Sequence, residues 1–132
     1  MPLIRNVISG AQVNASAKVA RKFNLVIPQG TTSIQSAAQL QTNTLPQCAF
    51  YCIMTAGPAG CTFNPQWAVD NRPDGVGGIE PDWFPVTPPQ VIILGVPLLF
   101  SVRLISNMIS TTINVPGGGA DATITIILAA SL

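Results

Sequence analysis

Apolar and polar residues alternate with a period of two along much of this chain, which is the pattern of half-buried β-strands. The clearest cases are the segments 18–27, 98–106 and 122–132. One face of each segment is apolar, and its residues are Val19, Phe23, Leu25, Ile27, Leu98, Phe100, Val102, Leu104, Ile124, Ile126, Leu128 and Ala130. Arg21 is the exception on the apolar face of the first segment. We therefore predict three strands whose apolar faces line one core.

Other segments add shorter strands. The apolar run 48–55 is rich in aromatic and β-branched residues and predicts a strand. A Gly-Pro-Ala-Gly turn closes this run, and we expect Cys61 to open the returning strand of a hairpin. Short strands are expected at 91–94 and 110–115, whereas residues 31–40 fit either a strand or a short helix.

Two segments differ from this strand pattern. Residues 1–16 are weakly patterned and predict an extended N-terminal arm in front of one domain, 17–132. Residues 64–90 contain six prolines, three glycines and both tryptophans, and predict a long but ordered loop. No segment predicts a helix, apart from the helix alternative at 31–40. The expected fold is therefore all-β: a single-domain β-sandwich or jelly-roll with a long Pro/Gly-rich loop.

The low charge and high hydrophobicity of the chain indicate a protein whose surface is partly buried against other chains. Of 132 residues only 8% are charged, where about 25% is usual, and 48% are hydrophobic. Mean hydropathy is +0.45. Residues 1–69 carry a net charge of +4 and residues 70–132 a net charge of −3, so copies could attract one another head to tail, unless the fold mixes the two halves. This composition excludes intrinsic disorder and favours a homo-oligomer.

Catalytic chemistry lacks its usual groups. The chain has no histidine, so a nucleophilic serine or cysteine lacks its common base. Four of the five acids, Asp70, Asp74, Glu80 and Asp82, lie within a single Pro/Gly-rich segment, and nothing places a pair across a cleft. The glycines 117–119 lack a phosphate-binding pattern. We predict no enzyme activity, no catalytic residue and no cofactor.

The three cysteines are Cys48, Cys52 and Cys61. Their spacing lacks the second ligand pair of a structural zinc site, and no histidine is present to complete one. We predict buried apolar thiols and no metal site. Met1 leads into no apolar signal segment, so we expect synthesis in a host cytoplasm with reduced thiols.

Membranes and nucleic acids are not expected partners. The segment 91–109 is long enough to cross a bilayer, but Arg103 is costly there, Pro97 breaks a helix, and the alternation favours strands. The basic residues of 18–22 form too small a cluster for nucleic acid and fit a solvated face or an acidic partner.

Two apolar groups are candidates for an interface. Trp67, Trp83 and Phe84 lie on the predicted loop. One interpretation is that they anchor this loop on the domain or at a subunit contact. The other is that they form a platform for sugar rings beside Asp70, Asn71 and Asp74. Anchoring is favoured, because aromatic residues are enriched in interface cores. The N-terminal arm carries the second group. The candidate interface residues are Leu3, Ile4, Val7, Ile8, Trp67, Trp83 and Phe84.

Several segments resemble small virion structural proteins of tailed bacteriophages, in particular capsid decoration (cement) proteins. They are KFNLVIPQGTTSIQS (22–36), AFYCIMTAGP (49–58), WAVDN (67–71), WFPVTPPQ (83–90) and the terminal TITIILAASL. The resemblance implies a many-copy β-sandwich in the virion, often a trimer, that contacts the major capsid protein and clamps neighbouring capsomers. It assigns no binding residue.

Two other functions stay open at this stage. A carbohydrate-binding or adhesin-tip module would use the tryptophans to bind a glycan. A small jelly-roll coat subunit would form closed shells by itself, although the chain lacks a basic segment to face nucleic acid.

Overall fold

A computed structural model describes residues 18–31, 39–42, 45–69 and 82–132, and these residues form β-strands and no helix. The nine strands of the described part are β1 (Lys18–Ile27), β2 (Gln39–Gln41), β3 (Gln47–Ala56), β4 (Thr62–Ala68), β5 (Phe84–Pro85), β6 (Gln90–Val91), β7 (Leu98–Arg103), β8 (Met108–Asn114) and β9 (Ala122–Ser131).

These strands form two antiparallel sheets. The first has the order β1-β9-β3-β7, and the second has the order β2-β8-β4-β5, with β6 pairing the other end of β4. The chain is thus a β-sandwich, which confirms the predicted all-β class.

One apolar core lies between the sheets. Every second residue of β3 and β9 is buried, and the two stripes sit side by side because Phe50 pairs with Leu128 and Cys52 with Ile126. Phe63 of β4 stacks on Phe100 of β7, with ring centroids 6.1 Å apart, and so joins the two sheets. Packing of these stripes is the main source of stability.

The three strands with the clearest alternation are confirmed as β1, β7 and β9. Arg21 lies at an inward position of β1 but is exposed, with its guanidinium 5.6 Å from the centroid of the Phe23 ring. The sheets do not close at this side: a groove of about 610 Å³ opens between β1 and β2 and is lined by Arg21 and Leu40. The charge therefore stays in water while the side chain contacts an apolar ring.

The predicted hairpin at 57–60 is wrong. β3 belongs to the first sheet and β4 to the second, so the turn is an arch between sheets. Gly57 has φ +150°, and a Cβ there would lie 3.1 Å from Ala122, so the sharp crossing requires glycine. Both strands carry a buried stripe, and in opposite sheets the two stripes face the core from its two sides.

The start of the predicted 64–90 loop is strand, because β4 continues to Ala68 through Pro65. Pro65 is tolerated because β5 and β6 pair only the two ends of β4, at Gln66–Trp67 and Thr62–Phe63. The carbonyl of Pro65 points to that gap and accepts a hydrogen bond from Val86 N–H at 2.9 Å.

The segment 31–40 is described only in part: Gln39 and Leu40 lie in β2, which fits the strand alternative there, and 32–38 lie outside the described residues. Of 91–94 only Val91 is in a strand, the short β6, so this strand is shorter than predicted. The N-terminal arm 1–16 and residues 70–81 of the predicted loop lie outside the described residues.

Thr111 occupies a core position between Ile109 and Ile113 on β8, and its Oγ1 is buried without a hydrogen-bond partner among the described residues. Because a buried unpaired hydroxyl is costly, we expect Thr111→Val to raise the free energy of unfolding by about 1 kcal/mol. Urea denaturation measures the change.

Thr112→Val, on the opposite face of the same strand, is the matched control and should change stability by no more than about 0.5 kcal/mol. A Thr111→Val variant less stable than the wild type would mean that the hydroxyl has a partner.

Candidate interaction surface

The described carboxylates do not form a catalytic pair. Asp82 is exposed and precedes β5, which pairs with the C-terminal end of β4. Asp121 precedes β9 at the opposite end of the sandwich, where its Oδ1 accepts a hydrogen bond from Gln29 N–H at 3.0 Å. The other acids, Asp70, Asp74 and Glu80, lie outside the described residues.

All three cysteines are buried and free, which confirms the prediction of buried apolar thiols. Desolvation by burial, together with a smaller effect of the neighbouring Cys61 thiolate charge, raises the pKa of the Cys52 thiol to about 12. Burial also raises the pKa of Cys48 and Cys61. Protonated thiols are poor metal ligands and poor nucleophiles. Among the described residues, no group of three or more metal-ligating side chains lies together.

The structure brings two of the predicted interface aromatics together. Trp67 on β4 pairs with Phe84 on β5, and their ring centroids are 4.9 Å apart. Trp67 is half-buried and packs against the core, whereas Phe84 is exposed. Trp83 is half-buried beside them in the chain. This arrangement fits an anchor for β5 better than an open platform, because Phe84 contacts the Trp67 ring.

Leu3, Ile4, Val7 and Ile8 of the N-terminal arm lie outside the described residues, so their predicted interface role stays a prediction. The same holds for the polar residues Asp70, Asn71 and Asp74 that a sugar site would use.

A second apolar surface was not predicted from the sequence. Between β6 and β7 the chain makes a tight turn in which Val96 N–H donates to Ile93 O at 3.0 Å and Gly95 has φ +75°. Gly95 N–H also donates to Met54 O at 2.9 Å, which ties the turn to β3. The turn and the residue leading into it expose four large apolar side chains, here called the apolar tip: Val91, Ile93, Leu94 and Val96.

The apolar tip lies in an uncharged region. No charged residue occurs from 83 to 102, and within the described residues the tip borders a groove of about 330 Å³. Met54 and the arch 57–60 line the other side of this groove. These four side chains are roughly half exposed and close together in the chain, so they form an apolar patch on the surface. The largest apolar patch of a soluble protein is often functional.

The sequence held a signal for this surface. The tip residues lie in 91–94, where the apolar run predicts a short strand, and just beyond it. Gly95 and Pro97 interrupt this run after four residues. A glycine and a proline that close so short an apolar run indicate a turn, and turns lie on the surface.

The outer face of the first sheet is also poor in charge. One row across it reads Lys22, Ile127, Tyr51 and Leu99, and the next reads Ala20, Ala129, Ala49 and Ser101. Small and apolar residues thus occupy positions that are usually polar on a solvated sheet face. No helix in the described part of the chain is long and apolar enough to span a membrane.

The described residues therefore define a small β-sandwich whose distinctive surface is apolar and uncharged. No family model matches the chain, and no curated protein matches its sequence. Solved structures of similar fold include a chain of the Bacillus endospore appendages, described as disulfide-linked pili. It is 15% identical with a TM-score of 0.46, over 88% of this chain and 89% of that one.

Two further structures are similar at the same level. PirA is 13% identical with a TM-score of 0.49, over 86% of this chain and 97% of that one. A chain of infectious bursal disease virus, Gx strain, is 10% identical with a TM-score of 0.46, over 87% of this chain and 33% of that one. The chain thus spans about a third of that virus protein. Similarity at these sequence identities and TM-scores does not establish the function of this chain.

The raised thiol pKa values predict a pH dependence. The unfolded chain ionises near the ordinary thiol value of 9.0, whereas folded Cys52 keeps its proton to about pH 12. Its contribution to stability is therefore intact below pH 9 and declines above it, by up to about 1.4 kcal/mol per pH unit. Denaturation in urea from pH 8 to 10.5 measures the slope.

Cys52→Ala is the comparison variant, because it removes this ionisation while other groups still titrate. Its stability should fall less steeply than that of the wild type above pH 9. Equal slopes would show that Cys52 ionises freely in the folded protein.

Proposed function

We propose that this chain is a non-enzymatic structural subunit of a virion, and specifically a capsid decoration or cement protein that binds the outer shell and stabilises it by symmetric apolar contacts. In this proposal the protein acts mechanically: copies cluster with one another, with a trimer expected, and contact the major capsid protein.

The observation that carries the proposal is the apolar tip. Ile93 and Leu94 are 60% and 55% exposed, at a turn held to β3 by a backbone hydrogen bond. Covering the exposed parts of the four tip side chains would contribute on the order of 4 kcal/mol. A surface of this kind is unfavourable in a dilute monomer and useful where many copies meet a partner.

Repetition by symmetry makes a modest contact sufficient. Each subunit of a cluster bound to a lattice re-engages at high effective concentration, so weak single contacts give tight overall attachment. The tip is fixed by its backbone contacts, so little conformational entropy is lost when it is covered.

Glycan binding is less well supported. A sugar platform needs exposed ring faces, but Trp67 and Trp83 are half-buried and Trp67 is covered in part by Phe84. A shift of tryptophan fluorescence with a panel of oligosaccharides would favour that function instead.

The self-association part of the proposal is tested by light scattering on a sizing column from 1 to 100 µM. We expect the wild-type chain to be a trimer or larger, and Ile93→Asp with Leu94→Asp to reduce its mass because charge is placed at the contact. Ile105→Asp is the matched control, because Ile105 is 84% exposed and lies at the other end of the sandwich. It should leave the mass unchanged.

The decoration role needs a second measurement, sedimentation with shells assembled from the major capsid protein of the same genome. The wild-type chain should pellet with the shells, and the double tip variant should pellet less. A wild-type chain that is monomeric at 100 µM and stays in the supernatant would overturn the proposed function.

A further inference from the structure

The first sheet has two edge strands, β1 and β7, and no other strand of the described chain pairs with their outer sides. Free edges invite pairing with other chains, and proteins usually guard them with charge, proline or a bulge. The two edges of this sheet differ in that protection.

The β1 edge is guarded. Lys18, Arg21 and Lys22 all lie on it, and they are three of the six cations in the whole chain. Pairing β1 with β1 of a second copy would place these cations close to their counterparts, which repels.

The β7 edge lacks such protection. Its ladder with β3 runs from Leu98 to Arg103 without a bulge or proline, and its only charge is Arg103 at the last position. Leu99 is 68% exposed on its outer face. The lack of charge on β7 is therefore not only a result of the low charge of the whole chain, because β1 of the same sheet carries three cations.

Backbone geometry makes β7 ready to pair. Leu104 N–H donates to Pro46 O at 2.7 Å, in line with the β3–β7 register. Because hydrogen-bonded pairs alternate along an antiparallel ladder, the even-numbered residues of β7 bond to β3. The N–H and C=O groups of Leu99, Ser101 and Arg103 therefore point to the free edge.

We propose that β7 pairs antiparallel with β7 of a second copy across a two-fold axis, joining the two four-stranded sheets into one. The proposal rests on the self-association proposed above and adds a contact distinct from the apolar tip. The axis passes at Ser101, so that Ser101 faces Ser101 of the second copy and Leu99 faces Arg103 of the second copy. This register uses all three outward-pointing residues and forms about six hydrogen bonds.

Charge agrees with this register. The two Arg103 side chains lie four residues apart along the joined ladder, about 13 Å, which exceeds the screening length of about 8 Å at physiological salt. Each Arg103 can lay its aliphatic part along Leu99 of the other copy and keep its guanidinium in water. Both strands are already ordered in their own sheets, so pairing loses little entropy.

The first test introduces one lysine on either edge in the full chain. Leu99→Lys charges the β7 edge, and Val26→Lys is the matched control, because Val26 is 69% exposed on β1 of the same sheet. Both are made in the Ile93→Asp, Leu94→Asp background, which removes the tip contact. Sedimentation equilibrium should find a dimer in that background, and Leu99→Lys should raise its dissociation constant by about tenfold or more. Val26→Lys should not.

The second test traps the contact. In a hydrogen-bonded antiparallel pair the Cα atoms lie about 5.5 Å apart, within the span of a disulfide. Ser101→Cys should therefore form a covalent dimer under mild oxidation, whereas Val26→Cys on the other edge should stay monomeric on a non-reducing gel. The native thiols do not interfere, because all three are buried.

The outcomes separate the two proposals. If association persists in the Leu99→Lys variant and the Ser101→Cys variant forms no covalent dimer, β7 pairing is overturned and the proposed function stands. A chain that is monomeric in every variant, the wild type included, would overturn both. If Leu99→Lys and Val26→Lys weaken the dimer equally, charge anywhere on the sheet disrupts association, and this result also contradicts pairing at β7.

Discussion

The packing of β9 between β1 and β3 is the interaction on which the rest of the structure depends. β9 is central to the first sheet, and its buried stripe, Ile124, Ile126 and Leu128, faces the second sheet. Both neighbours pair with it over almost their whole length. Since β9 pairs with β1 and β3, most core contacts join distant parts of the sequence, and the first sheet can close only after β9 has joined these earlier strands.

The strands with inward stripes could be predicted from the sequence because burial itself creates the two-residue period, as in β1, β7 and β9. The path between strands could not. A Gly-Pro-Ala-Gly turn serves a hairpin and an arch equally well, and the choice between them depends on whether β3 finds its partner in β4 or in β9. Which strand pairs with β3 depends on the packing of the whole core, and a local sequence pattern does not indicate it.

The surface was harder to predict than the core for the same reason. The tip residues and the core residues have the same hydrophobicity, so hydrophobicity alone does not distinguish exposed from buried positions. Trp67 and Phe84 are conspicuous in the sequence because aromatic residues are uncommon in this chain and both lie in an otherwise polar segment. Their contact across β4 and β5 depends on a pairing between residues 17 positions apart, which the sequence pattern does not indicate.

Scarcity of charge gives each charged residue more weight. With so few in the chain, the cluster on β1 protects one edge and holds Arg21 over Phe23, and Asp121 fixes the turn at Gln29. The regions of the described surface without charge include the apolar tip and all of β7 except Arg103. A protein that acted as a free monomer would gain solubility from a few charges at these exposed positions, at little cost in stability. The exposed apolar tip carries no charge and β7 carries only Arg103, whereas β1 carries three cations. This contrast is the physical basis for treating the tip and the β7 edge as contact surfaces.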